Sequence, residues 1–526
     1  MSNPVLHQHL RKERNEISRD DLIKIIKEFE ICQMSFLYSG LDGKIKELKI
    51  PTHDRKYADM VLAQGERIDG SSIFKGVIDT GNSDLYIVPI YKTAFFHPFE
   101  QNTLAVFCNF LDRSGELCMA VPENVLARTA ANFRERTKLN LNALGELEFY
   151  LIYDPTILTD VPSEYKSAAS KIFMGKSQRN YHQSYPYNKQ AMILNSMLSL
   201  ISSITGAVKY AHAEVGCIEG LKSNLAEING KNCEQFEIEF LPRPIEDMAH
   251  YLNLAKWIIR TVAYRFGSVA TFTPKIQDGH AGTGMHVHLE LTTLTTPAQN
   301  VMVNRHSGKL SEESLALIGG LAQMAPSLTA FGNTVASSYW RLVANQEAPT
   351  RICWSEQNRS ALIRVPLGWS NLGNLAEKVN DLSVRTETPT HASSRQTVEL
   401  RSPDGSAMIT LLLAGICAAA EHGLCNREQS LELAKKLHVT GNIFNNGDYL
   451  HSLPSLPASC QESAEVLQRD RGIYERAGIP TKTIDYLIQH LKEEATLFTR
   501  DHLQKLSTEE QKKFTRDILH KDLHAQ

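Results

Sequence analysis

The sequence contains no C-x-x-C pair. Its nine cysteines, at positions 32, 108, 118, 217, 233, 353, 417, 425 and 460, are scattered along the chain. That excludes a zinc knuckle and a disulfide framework, and it suits a reducing compartment. No apolar segment stands near the start, where charged residues are spread throughout, so no secretory signal is visible. The most apolar run, 408–420, is too short to cross a bilayer and is predicted to form a buried core helix. An excess of one charge is also missing. The formal net charge of −3 gives no electrostatic case for nucleic acid as a partner. Internal repeats and low-complexity tracts are absent too. The cytoplasm is the expected compartment.

What remains is an ordinary globular composition, 42% hydrophobic and 22% charged, in 526 residues. That length exceeds one compact core, so two domains are expected. Ser18 reads as a helix N-cap, with Asp21 behind it and Leu22, Ile25, Ile26 and Phe29 at helical spacing. A hairpin follows: 34–39, a turn at Asp42-Gly43, then 44–50. Strand-like runs at 84–90 and 103–110 complete a small β-rich domain over 18–118, preceded by an arm, 1–17. Pro122 and Glu123 open an amphipathic helix, 125–136, so the second domain is placed at 119–526. Its tail carries an apolar stripe, Ile484, Leu487, Ile488 and Leu491, and a capping box at Ser507 and Glu510.

Two glycine-containing segments look like nucleotide loops and fail the test. Gly175-Lys176-Ser177 ends like a phosphate loop, but Ser170 stands where the first glycine is required. The stretch 279–284 lacks dinucleotide spacing and leads into a strand. The informative pattern lies in strands that put two polar groups on one face, since residues i and i+2 point the same way. Glu146 and Glu148 do so, as do Glu237 and Glu239, His286 and His288, and Glu399 with Arg401. The ordinary reading of any one such strand is an antiparallel sheet with a solvated face. If the faces converge, carboxylates about 4 Å apart repel by roughly 4 kcal/mol per pair at an effective dielectric near 20. Cations would have to neutralise them, and carboxylates with an imidazole favour Mg²⁺ or Mn²⁺.

Several ordered motifs resemble the glutamine synthetase family, from about Ile68 to Gly423. Asp69-Gly70-Ser71-Ser72 resembles its D-G-S-S loop, and 145–149 its G-x-E-x-E-F strand. Residues 282–288 are similar to G-S-G-M-H-x-H. Residues 338–349 resemble S-Y-x-R-L-x-P-G-x-E-A-P, 358–366 N-R-S-A-x-x-R-x-P, and 399–404 E-x-R-x-P-D.

The resemblance implies an α+β fold: a small N-terminal β-grasp-like domain, then a large catalytic domain on a curved antiparallel sheet with helices. It implies that Glu148, Glu214 and Glu237 hold one divalent ion and Glu146, His286 and Glu399 a second. Arg341 and Arg401 would grip the carboxylates of glutamate beside Gly282, while Arg359 and Arg364 steady the ATP phosphates and His288 lies against the nucleotide. Asp69 and Ser72 would reach a neighbouring subunit and, with Tyr181 and Glu214, complete its amine site. Glu347 would sit on a flap that excludes water. The implied reaction phosphorylates the γ-carboxylate with ATP and then attacks it with ammonia, in a homo-oligomeric ring, by resemblance a dodecamer.

Four departures bear on this. Ala281 replaces the family's usual asparagine, Lys209 an acidic residue, and Asn345-Gln346 the usual Pro-Gly. Residues 220–232 form an insertion between two ligands, expected to roof the site and to offer Asn224, Asn229 or Asn232 as a donor. Three readings follow: glutamine synthetase proper, a γ-glutamyl ligase for a larger amine, and a non-catalytic structural or regulatory relative.

Overall fold

The computed structural model describes residues 5–158, 161–172, 177–343, 348–368, 375–380, 395–445, 451–497, 503 and 505–525. Its first domain starts at the reciprocal cap: the Asp21 amide donates to Ser18 Oγ (3.3 Å), and Ser18 N–H donates back to the Asp21 carboxylate (2.8 Å). Helix Arg19–Glu28 then buries Leu22, Ile25 and Ile26. The hairpin consists of β1 (Gln33–Ser39) and β2 (Ile45–Pro51), with Met34 opposite Ile50. Strands β3 (Glu66–Asp69), β4 (Asp84–Pro89), β5 (Phe95–Phe96) and β6 (Thr103–Leu111) complete a sheet of order 2-1-6-4-3, with β5 on β6. β1 runs parallel to β6, which makes this sheet mixed.

Period-two alternation explains how this sheet joins the rest. From β6, Leu104, Val106, Cys108 and Phe110 face the small domain's own core, while Ala105 and Phe107 belong to the main core. Phe107 stacks on His250 of helix Ile245–Arg265 at 4.9 Å between ring centroids. Asn253 of that helix donates to Ser39 Oγ (3.1 Å) and Thr410 Oγ1 (3.2 Å), tying the hairpin to the large domain.

The second sheet is built around a long central strand, β7 (Leu139–Tyr153). Around it lie β8 (Val208–Ile218), β9 (Asn232–Phe240), β10 (Arg243–Pro244), β11 (Val269–Thr271), β12 (Met285–Thr293), β13 (Trp354–Glu356), β14 (Ile363–Val365) and β15 (Val398–Leu400). The order is 13-14-15-12-7-9-8, with β10 and β11 on β7. The resemblance implies an antiparallel sheet; β13 and β14 pair in parallel, so the sheet is mixed at that edge. Their pairing spans three residues, and the return between them carries Asn358, Arg359 and Ser360.

One face of this sheet is apolar. Leu147, Phe149 and Leu151 of β7, Phe236, Ile238 and Phe240 of β9, and Val287, Leu289 and Leu291 of β12 enter the main core. Helix Ile409–Cys425 realises the 408–420 run and is buried along nearly its whole length. It packs on Glu312–Gly332, which is long and apolar enough to cross a membrane by composition, but 83% of its apolar window is buried inside the fold. That burial makes it a core helix. Among the described residues all nine cysteines are free.

The insertion 220–232 packs on the Tyr150–Ile152 end of β7 rather than over Glu146 and Glu148, and none of its residues lines the site cavity. Leu221 and Ile228 need burial, and they find it with Tyr150, Ile152, Ile276 and Leu523 in a satellite cluster. Asn224 donates to Asp517 (2.6 Å), Asn229 accepts from Ser223 N–H (3.0 Å), and Asn232 accepts from Gly220 N–H (3.1 Å). Those asparagine groups are therefore engaged away from the site. The stripe Ile484, Leu487, Ile488 and Leu491 is buried on helix Thr481–Leu497, and Ser507 with Glu510 caps helix Thr508–His520.

Candidate active site

Strand register decides whether the polar faces meet. His288 stands opposite Glu399, and His286 opposite Glu146. Glu146 is opposite Glu239 and Glu148 opposite Glu237, while His212 of β8 also faces Glu237. Residues opposite one another on a common face lie within contact distance. The polar faces of β15, β12, β7, β9 and β8 therefore converge.

Glu146 is the hub of the first group. It meets His286 Nδ1 (2.7 Å) through one oxygen and His288 Nε2 (2.8 Å) through the other. Glu399 accepts from Arg401 Nε (3.0 Å) and Arg364 (2.9 Å) and lies 3.7 Å from His286. Ligand atoms of Glu146, His286 and Glu399 fall within 4.8 Å of one another, and so do those of Glu146, Glu239 and His288. Burial opposes ionisation of Glu146, but the two imidazoles outweigh it and hold its carboxyl well below the usual range. Burial pulls both histidines down; His286 stays low, whereas the charge and hydrogen bond of Glu146 lift His288 above its ordinary value. His288, assigned by resemblance to the nucleotide, is bonded here to Glu146 and Thr397 (3.1 Å).

In the second group the clustered ligand atoms belong to His212, Glu214 and Glu237. Glu148 lies beside them, with one oxygen accepting from Gly284 N–H (2.8 Å) and Gln235 Nε2 (2.9 Å). Burial, then the charges of Glu146, Glu148, Glu214 and Glu239, push the Glu237 carboxyl well above its normal value. This is the repulsion expected of converging carboxylates, and it marks a donor set of hard oxygens and imidazoles that fits Mg²⁺ or Mn²⁺. Glu239 strengthens that fit: it is 1% exposed, one oxygen pairs with Lys209 (2.7 Å), and the other is buried with no hydrogen-bond partner.

A cavity of about 590 Å³ opens on this face. Glu148, Glu214 and His286 line it with Arg341, Arg359 and Arg401, so anionic and cationic groups share one chamber. Arg341 donates to Ser402 O (2.8 Å), and Arg401 donates to the Arg359 carbonyl as well as to Glu399. Arg364 is not among the lining residues. Gly282 and Ala281 form part of the wall, and the Ala281 carbonyl accepts from Tyr150 OH (3.0 Å). Gly284 must be glycine: a Cβ there would stand 2.8 Å from Glu148 Oε1 and from His286 Nε2.

Asp69 and Ser72 lie outside this cavity. They are exposed on the small domain, where Asp69 caps the turn Gly70–Ile73. Hydrogen bonds from Ser72 and Ser71 hold the Asp69 carboxyl down to about 2. Tyr181 is exposed at the edge, its ring 5.3 Å from that of His212, and the charge of Glu214 helps to raise its hydroxyl's pKa beyond what burial does. Glu347 and the Asn345-Gln346 pair lie outside the described residues. Sequence reasoning missed His212 as a ligand candidate, although H-x-E on β8 has the same alternation as the other strands. Lys275, Asn442 and Phe444 also line the cavity; they come from distant segments with no local signal.

Fold and site together define a class: a two-domain α+β protein whose mixed sheet gathers carboxylates and imidazoles beside guanidinium groups. The glutamine synthetase beta-Grasp domain family matches residues 30–113, and the glutamine synthetase catalytic domain family matches 120–505. The chain belongs to the glutamine synthetase family. It is 26% identical to a glutamine synthetase of Aquifex aeolicus over 86% of this chain and 89% of that one. A 3-hydroxylaminophenol mutase of Cupriavidus pinatubonensis is also 26% identical, over 91% and 96%. Among solved structures, Plasmodium falciparum glutamine synthetase superposes with a TM-score of 0.72 at 20% identity, covering 94% of this chain and 98% of that one. A GmaS/ADP complex gives 0.70 at 19% identity, covering 93% and 98%.

Proposed function

We propose that the protein is an ATP-dependent carbon–nitrogen ligase that joins glutamate to ammonia through γ-glutamyl phosphate. The observation that carries this reading is the shared chamber of about 590 Å³, which Glu148, Glu214 and His286 line together with Arg341, Arg359 and Arg401. Such a space suits an anionic acceptor and an anionic donor held together by cations. Glu148, Glu214 and Glu237, with His212 beside them, would hold one divalent ion; Glu146, His286 and Glu399 would hold the other. When bound, these ions supply neutralisation of phosphate charge.

The chain's own residues do the positioning. Arg341 and Arg401 grip the carboxylates of glutamate, and the bond that Arg401 Nε donates to Glu399 fixes its fork. Arg359 and Arg364 steady the phosphates. The γ-carboxylate oxygen attacks the γ-phosphorus, the bond to the β-phosphate oxygen breaks, and ADP leaves. Ammonia then attacks the acyl carbon and inorganic phosphate departs; Asp69 of a neighbouring subunit receives the amine's proton, and Glu347 closes the site against water.

A second reading, a larger amine in place of ammonia, is favoured by Ala281, which lines the cavity and has no side-chain hydrogen bond to offer. Relatives at equal identity carry the names glutamine synthetase and mutase, so identity alone does not choose the acceptor. The decisive assay is ATP-dependent phosphate release with glutamate and ammonia, then with a panel of primary amines. Release with ammonia supports the first reading, release only with an amine supports the second, and none with any acceptor overturns both.

A further inference from the structure

The insertion 220–232 and helix Thr508–His520 are unabsorbed by the site, and the helix lies beyond the residues matched by the catalytic-domain family, 120–505. They are bonded to each other and to one strip of backbone. His520 is 3% exposed, with Nε2 2.8 Å from the Ile276 carbonyl and Nδ1 2.9 Å from Ser223 Oγ. A carbonyl only accepts, so Nε2 carries the proton and Nδ1 accepts from the Ser223 hydroxyl. Burial keeps the ring's pKa below its ordinary value, consistent with this neutral tautomer. Thr271 donates to the Leu523 carbonyl (2.9 Å) and Thr273 to the Leu519 carbonyl (3.0 Å). Leu523 packs with Leu221, Ile228 and Ile276 in the satellite core.

The strip held in this way, 271–276, leads directly into the cavity wall. Thr283 N–H donates to the Pro274 carbonyl (2.9 Å), and Lys275 bridges Gly282. Gly282 approaches Arg341 so closely that an added Cβ would be 2.8 Å from its Cγ. A continuous path therefore runs by bonds from His520 through Ile276 and Lys275 to Gly282, and by close packing from Gly282 to Arg341.

We infer that His520, with Ser223 of the insertion, is a positioning residue: the helix and the inserted loop clamp strip 271–276 and set the wall of the glutamate pocket. This rests on the proposed ligase reading for its kinetic consequence but not for its structural one. Loss of the clamp loosens the strip and the wall it leads into, 271–284, and leaves the pairing of β12 with the Glu146 end of β7 intact.

The test uses the full-length protein, comparing His520→Ala, His520→Gln and Ser223→Ala by hydrogen–deuterium exchange and by kinetics. Exchange of peptides covering 271–284 is expected to rise about tenfold in His520→Ala, while peptides covering β12 and residues 139–147 of β7 stay unchanged. The KM for glutamate is expected to rise about 3- to 10-fold, the range for one lost hydrogen bond, with kcat and the KM for ATP little changed. His520→Gln keeps a donor for Ile276 and an acceptor for Ser223, so it should restore most of both effects. Ser223→Ala should give a smaller change in the same direction, and it covers the case in which His520→Ala does not fold. Unchanged exchange over 271–284 in both alanine variants overturns the clamp whatever the reaction is. Raised exchange without turnover on glutamate keeps the clamp and sinks the ligase reading instead. A kcat loss with unchanged KM would show that the helix acts other than on the pocket wall.

Discussion

At the scale of single residues, the arrangement turns on which side chains hold two partners at once. Glu146 touches both imidazoles, so Glu146→Ala should abolish ATP-dependent phosphate release. It should also weaken Mn²⁺ binding by at least about 10- to 100-fold, the loss typical even of outer partners in metal sites. Titration calorimetry reads the second effect, and unchanged Mn²⁺ affinity would remove the ligand assignment. Ala281 tests the pocket differently. Ala281→Asn adds an amide worth about 0.5–1.5 kcal/mol, so KM for glutamate should fall several-fold with kcat steady. If glutamate kinetics worsen, Ala281 is making room for another substrate, and the larger-amine reading moves ahead.

A third residue links the fold to pH. Glu234 is 3% exposed and accepts from Tyr153 OH (2.6 Å), and burial raises its carboxyl from 4.5 to about 7. A raised acid pKa favours the folded state fully below the unfolded value, and the benefit is lost as pH rises from about 4.5 to 7. The amount at stake is about 3 kcal/mol. Glu234→Gln cannot ionise, so its melting temperature should fall less than the wild type's between pH 5 and 8. Parallel melting curves across that range would refute the assignment.

At the scale of elements, the sequence was most readable where local chemistry and periodicity agree. The Ser18 and Ser507 caps and the Asp42 turn follow from side chains acting on their own backbone, and the buried helix at 408–420 from its apolar run. The alternation at Glu146 and Glu148 or His286 and His288 also announced polar faces. What alternation cannot give is register, because pairing partners are set by tertiary packing; hence Glu239 and His212 went unassigned. The insertion was misplaced for a related reason. Leu221 and Ile228 reveal their direction only once the partner helix, far along the chain, is known. The crossing of helices Glu312–Gly332 and Ile409–Cys425 belongs here too. A Cβ at Gly320 would stand 2.5 Å from the Ala419 carbonyl oxygen and 2.6 Å from Gly423 Cα, so the two backbones touch. Gly320→Val should cost about 1–3 kcal/mol by overpacking and lower the melting temperature, whereas Gly472→Val, which meets only the end of the Arg476 side chain at 3.7 Å, should cost less. Equal melting temperatures would mean the crossing is looser than its contacts imply.

At the scale of the whole molecule, the two domains divide the proposed chemistry between them. The metal-ligand candidates stand on the large sheet and the cavity's arginines on its flanking segments in the same domain, while Asp69 and Ser72 stand exposed on the small domain, outside their own chain's cavity. A carboxylate held down to about 2 by two serines is preorganised, yet within its own chain it has no acyl carbon to serve. We therefore propose a closed ring, a dodecamer by family resemblance, in which each site joins one subunit's large domain to its neighbour's small one. Asp69→Ala and Glu148→Ala each disable a different half of a site. Mixed at equal ratio after reversible dissociation, random assembly would give about one quarter of the sites two unaltered halves, so about a quarter of wild-type turnover should return. Neither variant alone should recover anything after the same treatment. No recovery in hybrids shown by native mass spectrometry to contain both chains, or full activity in a monomer, would refute the shared site and place Asp69 outside the reaction.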